Sequence, residues 1–223
     1  MRWSLLVALA AGASACCATD EETLNYTVNW PSGLSLGEAS LRARSAGERW
    51  ELEFEIDAAV PGYAVQDRYR SIARPDLCAL ELEKRFVHGR KRGHERTSFD
   101  AERGVALRET LGGGGKTEMA APGCPRDALA YLYYVRRELA QGRLPRSQEV
   151  FFGARYQVNL EYRGFHTVTV NEQRMQADCY EAMVKGPASQ HSFQIYFARD
   201  PARTPLLVRL SLPLGIFSME LVR

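Results

Sequence analysis

The stretch Arg49-Trp50-Glu51-Leu52-Glu53-Phe54-Glu55-Ile56-Asp57-Ala58 decides the fold class. Its even-numbered residues are apolar and its odd-numbered residues are charged. A helix would scatter these acids around its whole circumference. A strand collects Trp50, Leu52, Phe54 and Ile56 on one face and the charges on the other. A period of two with one acidic face is the signature of a half-buried antiparallel strand.

The same alternation extends in both directions. Leu24, Tyr26, Val28 and Trp30 share a face, with Thr23, Asn25, Thr27 and Asn29 opposite, and Pro31-Ser32-Gly33 turns the chain. Leu34, Leu36, Ala39, Leu41 and Ala43 follow with a change of parity near Gly37, which predicts a bulge. Further strands are expected over 65–73, 79–88, 96–100, 105–111, 155–162, 167–175, 180–185, 192–198, 206–212 and 216–222. Turn signals separate them at Arg74-Pro75-Asp76, Glu102-Arg103-Gly104, Arg163-Gly164, Lys185-Gly186-Pro187 and Asp200-Pro201. This rhythm predicts an all-β dominated chain: an antiparallel barrel, or a curved sheet or sandwich.

One segment departs from it. From Arg126 to Gln141, Leu129, Leu132, Tyr133, Arg136 and Leu139 fall at helical spacing, with Pro125 suited to the first helical position and Gly142 to the stop. The four glycines 112–115 and residues 121–125 read as a flexible lead-in to this single mid-chain helix.

The first seventeen residues, MRWSLLVALAAGASACC, have the order of a secretory signal peptide: Arg2, an apolar run over 3–11, and the small-residue site Ala13-Ser14-Ala15. Cleavage there predicts a leader over 1–15 and one β-rich domain over 16–223. That domain is long enough for a sizeable core, since 45% of the chain is hydrophobic. Ala13-Ser14-Ala15-Cys16 also approximates a lipobox, with Ala where Leu is usual, so Cys16 is a candidate lipidation site. Cys16, Cys17, Cys78, Cys124 and Cys179 are the cysteines. Lipidation of Cys16 leaves four that can pair as two disulfides, with the pairing open, whereas plain cleavage leaves an odd thiol. No Cys-x-x-Cys spacing occurs. No later apolar run reaches the ~18 residues of a membrane span, so the expected tether is at this N-terminus. The expected location is the periplasm or outer membrane of a Gram-negative-type bacterium.

Several motifs resemble a bacterial exported family known as domain of unknown function 3108. They are Tyr26-x-Val28-x-Trp30 with Gly33 and Gly37, Thr97-Ser98-Phe99-Asp100, the helix Asp127 to Arg136, and Ile195-Tyr196-Phe197-Ala198-Arg199-Asp200 followed by Pro205 and a closing hairpin. The resemblance spans most of the mature chain. It implies a barrel-like envelope protein without an assigned activity and carries over no catalytic residues.

The chemistry-bearing patterns are weak. Gly33-Leu34-Ser35-Leu36-Gly37 matches the nucleophile-elbow spacing, but strand-like sequence follows where a helix is needed, and Ser35 reads as an outward serine between core-facing leucines. Gly112 to Thr117 has Thr110 where a phosphate-binding loop needs glycine, and reads as a surface loop. The four histidines, 88, 94, 166 and 191, lack metal-ligand spacing, and nothing marks a cofactor site. Arg68 and Arg70 are expected to pair with the acids of 51–57 across strands.

The basic run Lys84, Arg85, Arg90, Lys91, Arg92 and Arg96 is the candidate patch for an anionic ligand, with a solvated, aggregation-resisting edge as its alternative. Trp30, Trp50, Phe54, Leu129, Leu132 and Tyr133 are the candidate wall of an apolar pocket. Together these readings favour a non-enzymatic binder of a lipid or anionic glycan. The alternative is an assembly partner of another envelope protein, and a Ser35 hydrolase ranks third. A net charge of +2 and the leader both argue against nucleic acid as a partner.

Overall fold

The computed structural model describes residues 21–60, 62–212 and 215–222. The leader, its cleavage site, Cys16 and Cys17 lie outside them. Fifteen strands join in one sheet: β1 (Glu21–Asn29), β2 (Ser35–Ala46), β3 (Arg49–Val60), β4 (Tyr63–Ala73), β5 (Ala79–His88), β6 (Lys91–Asp100), β7 (Val105–Thr110), β8 (Lys116–Ala120), β9 (Arg126–Asp127), β10 (Gln148–Phe151), β11 (Arg155–Val170), β12 (Gln173–Lys185), β13 (Gln190–Ala198), β14 (Pro205–Leu212) and β15 (Gly215–Val222). The order across the sheet is β8 through β1, then β15 down to β9, so the first and last strands meet in the middle. All pairs are antiparallel except β9 with β10, which are parallel and joined through α1 (Ala128–Ala140). Among the described residues no helix is long and apolar enough to cross a membrane.

The sheet is curved, as the alternation predicts, but it does not close by pairing its edges. Instead the β9–β10 edge packs onto the inner face of β5 and β6. Phe151 meets Phe99 edge to face at 5.4 Å. The Ala79 amide donates to the Pro125 carbonyl at 2.8 Å, and Cys78 is bonded to Cys124. The result is a rolled sheet rather than a barrel.

The acidic face of β3 behaves as its sequence predicts. Leu52 has no exposed surface, while Glu51, Glu53 and Glu55 point outward. Arg44 reaches Glu51 at 2.8 Å, Arg70 lies 3.5 Å from Glu51 and 3.6 Å from Glu53, and Arg68 lies 3.8 Å from Glu55. These partly exposed pairs add little stability individually, but like charges opposite one another would oppose any other register. The bulge expected near Gly37 is present: Val28 pairs with Gly37 and Asn29 with Ser35. A Cβ on Gly37 would stand 2.0 Å from the Asp57 carbonyl oxygen, so only glycine lets β2 and β3 approach there. Leu34, expected in the core, is 67% exposed, because it lies in the turn before β2, its carbonyl accepting from the Trp30 amide at 2.8 Å.

The helix starts two residues later than the pattern suggested. Asp127, not Pro125, sets its start: the Asp127 carboxylate accepts from the Leu129 and Ala130 amides at 2.9 and 3.1 Å and from Ser71 Oγ at 2.5 Å. Pro125 precedes β9. Gly142 has φ 72°, the left-handed residue expected just beyond the helix end. Arg136, 5% exposed, clamps the Glu22 carboxylate with two bonds of 2.6 and 2.7 Å and donates to the Ala202 carbonyl. The helix is thus tied to β1 as well as β4.

Two further expectations change. Residues 155–170 form one strand, because Arg163-Gly164 is a bulge and the chain reverses at Asn171-Glu172, both with positive φ. The bulge moves even-numbered residues to the other face, so Leu160 and Val168 are buried on opposite sides. Past it, Val168 and Val170 join Ala177, Cys179, Tyr196 and Leu207 in one buried cluster. The far half of this long hairpin therefore covers β14 and β15 from outside. Between the two pieces of the expected lead-in, residues 116–120 form strand β8, paired with β7 around the glycine turn. Of the two disulfides contemplated, Cys78–Cys124 is formed, while Cys179 is a buried free thiol.

The links between the β9 edge and β4–β5 carry three stability predictions. Asp127→Ala removes the cap and leaves Ser71 without its acceptor, and is expected to cost about 2–3 kcal/mol in denaturant unfolding. Burial pushes the Asp127 carboxyl up to about 6. The folded state therefore holds a proton that the unfolded chain has released, and this group withdraws stability as pH rises from about 4 to 6. Asp127→Asn should flatten that part of the stability profile. Reduction or Cys78→Ala opens a 46-residue span and is expected to cost about 2–4 kcal/mol, read as a lower melting temperature.

Candidate functional site

The roll leaves an apolar cavity of about 600 Å³ between the helix and the inner faces of the strands. Leu129, Leu132 and Val135, spaced three apart, present one side of α1 to it. Phe54 of β3, Leu160 of β11, Ala182 of β12, Ile195 of β13 and Val208 of β14 supply the surrounding wall. Each of these strand residues sits at the inward parity of its strand. Phe152 and Tyr156, from the β10–β11 connection and the start of β11, line the cavity toward β4–β7.

There the character of the inner face changes. Asp67 and Tyr69 of β4, Lys84, Phe86 and His88 of β5, Lys91 and Glu95 of β6, and Arg108 of β7 all occupy inward positions, as their cross-strand register requires. A second cavity of about 310 Å³ lies against this wall and shares Phe152 and Tyr156 with the first. Asp67, 8% exposed, accepts from Tyr69 Oη at 2.5 Å and stands 2.7 Å from His88 Nε2. Glu95 accepts from Arg108 at 2.6 Å and lies 3.6 Å from Lys84 Nζ. The Lys84 ammonium sits over the Phe152 ring at 4.0 Å. Its burial, reinforced by Arg108 and opposed by Glu95, pulls its pKa below the ordinary lysine value. Burial and the Asp67 carboxylate push the Tyr69 hydroxyl up.

The basic run is therefore divided between faces. Lys84 and Lys91 line the inner pocket. Arg85, Arg92 and Arg96 point outward, with Arg85 on Glu83 at 2.8 Å and Arg96 on Glu81 at 3.8 Å. Arg90 is exposed in the β5–β6 turn. A hairpin tip bearing all six together is not what forms, because period two separates neighbours.

Of the expected apolar wall, Phe54, Leu129 and Leu132 line the cavity. Trp50 and Tyr133 stack at 6.4 Å against the same core without lining it. Trp30 lies away from the cavity, edge-on to Phe217 at 4.9 Å. Ser35 opens β2 as an exposed residue, and a strand continues from it, so the strand-to-helix elbow does not form. The glycines 112–115 form the β7–β8 turn, with Thr110 bonded to Gly115 and Gly114. Asp67, Glu95 and Arg108 were not among the residues expected at a site. Their signal was polarity at inward parity: Lys84 stands between Leu82 and Phe86 on one face.

Glu95 is the shared counter-ion of two cations. Glu95→Gln is expected to lower stability by about 2 kcal/mol at neutral pH, because Arg108 and Lys84 then face each other uncompensated. Adding Lys84→Met should recover part of that loss, measured by urea unfolding.

No curated protein sequence matches the chain. Among solved structures, the chain is similar to a crystal structure of a beta-barrel-like protein of domain of unknown function DUF1849 from Brucella abortus. The TM-score is 0.63 at 6% identity, covering 92% of this chain and 96% of that one. At that identity the likeness speaks to the fold alone, and it agrees with the rolled sheet. The family described as protein of unknown function (DUF3108) matches residues 25–222, nearly all of the described chain, in agreement with the motif order. The chain belongs to the DUF3108 family.

Proposed function

We propose that the protein is an exported, non-enzymatic binder of an apolar ligand held in the interior cavity. The observation that carries this reading is the cavity itself. At about 600 Å³ it falls within the ~300–1,000 Å³ of small-molecule sites, and its lining is dominated by aliphatic and aromatic side chains. A half-open cavity of this size leaves its aliphatic and aromatic lining in contact with water, which is costly. A lipid or similar apolar molecule would recover that loss. The Cys78–Cys124 bond suits an oxidising compartment, in keeping with a leader at residues 1–15.

The assembly-partner reading rests on β8, which ends the sheet with most of its residues exposed. That edge carries Lys116 and Glu118, charges that discourage strand addition. The cavity is the better-supported site.

The test is native purification from the exporting cell, solvent extraction and mass spectrometry, with the mass of the N-terminal peptide read in parallel. The expected result is a stoichiometric apolar molecule that Leu132→Trp, which fills the cavity, reduces several-fold. An empty extract from folded protein, together with thermal stability indifferent to added amphiphiles, would overturn the reading. A peptide beginning at a diacylated Cys16 would establish the lipid tether, and an unmodified Cys16 would exclude it.

A further inference from the structure

We propose that the ligand bears a compact anionic head, a carboxylate or a phosphate monoester, which seats on Lys84 and Arg108 while its apolar chain passes Phe152 and Tyr156 into the large cavity. The inference rests on the reading of that cavity as a ligand site and adds the chemistry of the ligand's polar end.

Continuity comes first. The polar pocket and the apolar cavity share Phe152 and Tyr156, so one molecule can occupy both. Charge comes second. The wall carries the cations Lys84, Lys91 and Arg108 against two carboxylates, and those two are already engaged. Asp67 is held by Tyr69 and His88, and Glu95 by Arg108.

Unused donors come third. Arg108 Nε is buried and has no hydrogen-bond partner among the described residues. Lys84 has three donor hydrogens, and among the described residues its ion-pair partner, Glu95, stands at 3.6 Å, beyond the ~2.7–2.9 Å of a charge-assisted bond. Its side chain is only 12% exposed, so water does little to satisfy it. Burial lowers its pKa, and a seated anion would oppose that shift. The backbone is also kept thin at this point. A Cβ on Gly153 would lie 2.9 Å from Glu95 Oε2 and 3.0 Å from Lys84 Nζ, and Gly153 adopts φ +77°. A cationic head would meet the like charges of Lys84, Lys91 and Arg108, and a neutral one would leave the desolvated donors poorly paired.

The test loads the full mature chain with the neutral fluorophore N-phenyl-1-naphthylamine and displaces it with dodecanoate, dodecyl phosphate or dodecanol. Either anion is expected to displace the probe at about tenfold lower concentration than the alcohol, and Lys84→Gln or Arg108→Gln should erase that advantage while leaving dodecanol unchanged. Lys84→Arg should keep it. The more potent anion identifies the head, carboxylate or phosphate. Equal potency of all three on the wild-type protein would overturn the head-group assignment and leave the cavity reading standing, a result that needs no variant to fold. Failure of the probe to bind, or of all three to displace it, would overturn both.

Discussion

The roll of this sheet is fixed at a carboxylate with no exposed surface. Asp127 caps the helix through two backbone amides and accepts a hydrogen bond from Ser71, 56 residues earlier on β4. Strand β9 is two residues long, too short for laddering alone to hold an edge in place. The edge is held instead by unlike links that converge on the end of β4 and the start of β5. These are the Ser71–Asp127 bond, the Ala79 amide on the Pro125 carbonyl, and the Cys78–Cys124 bond. The Arg136–Glu22 clamp secures the other side of the helix to β1. Once α1 is set across this end, Leu129 and Leu132 have no other direction to face than the interior. The cavity is a consequence of where the cap sits.

The same logic explains a buried contact between two separated motifs. Tyr26 opens the N-terminal Tyr-x-Val-x-Trp strand, and Pro205 begins the closing hairpin. The Tyr26 hydroxyl donates to the Pro205 carbonyl at 3.0 Å, 179 residues away in sequence, and Tyr26 is 1% exposed. A buried phenol needs such an acceptor. This bond ties β1 to the start of β14, across β15, where β1 and β15 meet in the middle of the sheet.

Local periodicity made most strands legible, because a residue's face depends only on its immediate neighbours. β3 carries uninterrupted alternation from Arg49 to Ala58, and the bulge at Gly37 announced itself as a change of parity. The reversal in β11 stayed hidden for a related reason. Arg163-Gly164 resembles a turn, yet an extra residue inside a ladder flips parity without ending the strand. The Leu160 and Val168 faces look continuous in sequence and are opposite in space. Strand β8 was obscured because its inward residues, Thr117 and Met119, are too few to show a period. Closure was not legible at all, since Ser71 and Ala79 reveal nothing of Asp127 or Pro125 until the chain has curled.

The polar wall was partly visible and wrongly grouped. Reading Lys84 to Arg96 as one basic patch treats charge as a property of a segment, whereas a strand sorts its charges by parity. Outward, Arg85 and Arg96 find Glu83 and Glu81, and such partly exposed pairs need no role beyond solubility and register. Inward, the energetics differ. Apolar residues packed at the positions of Lys84, Glu95 and Arg108 would serve the fold as well or better, because desolvating an ion pair offsets most of its attraction. The inner faces of β3 and β13 show that this chain builds such apolar surface readily. Departures of this kind from an otherwise consistent pattern concentrate at functional sites. Here the departure stands where the apolar cavity ends, sharing Phe152 and Tyr156 with it, which is the arrangement that an amphipathic molecule requires and a hydrophobic core does not.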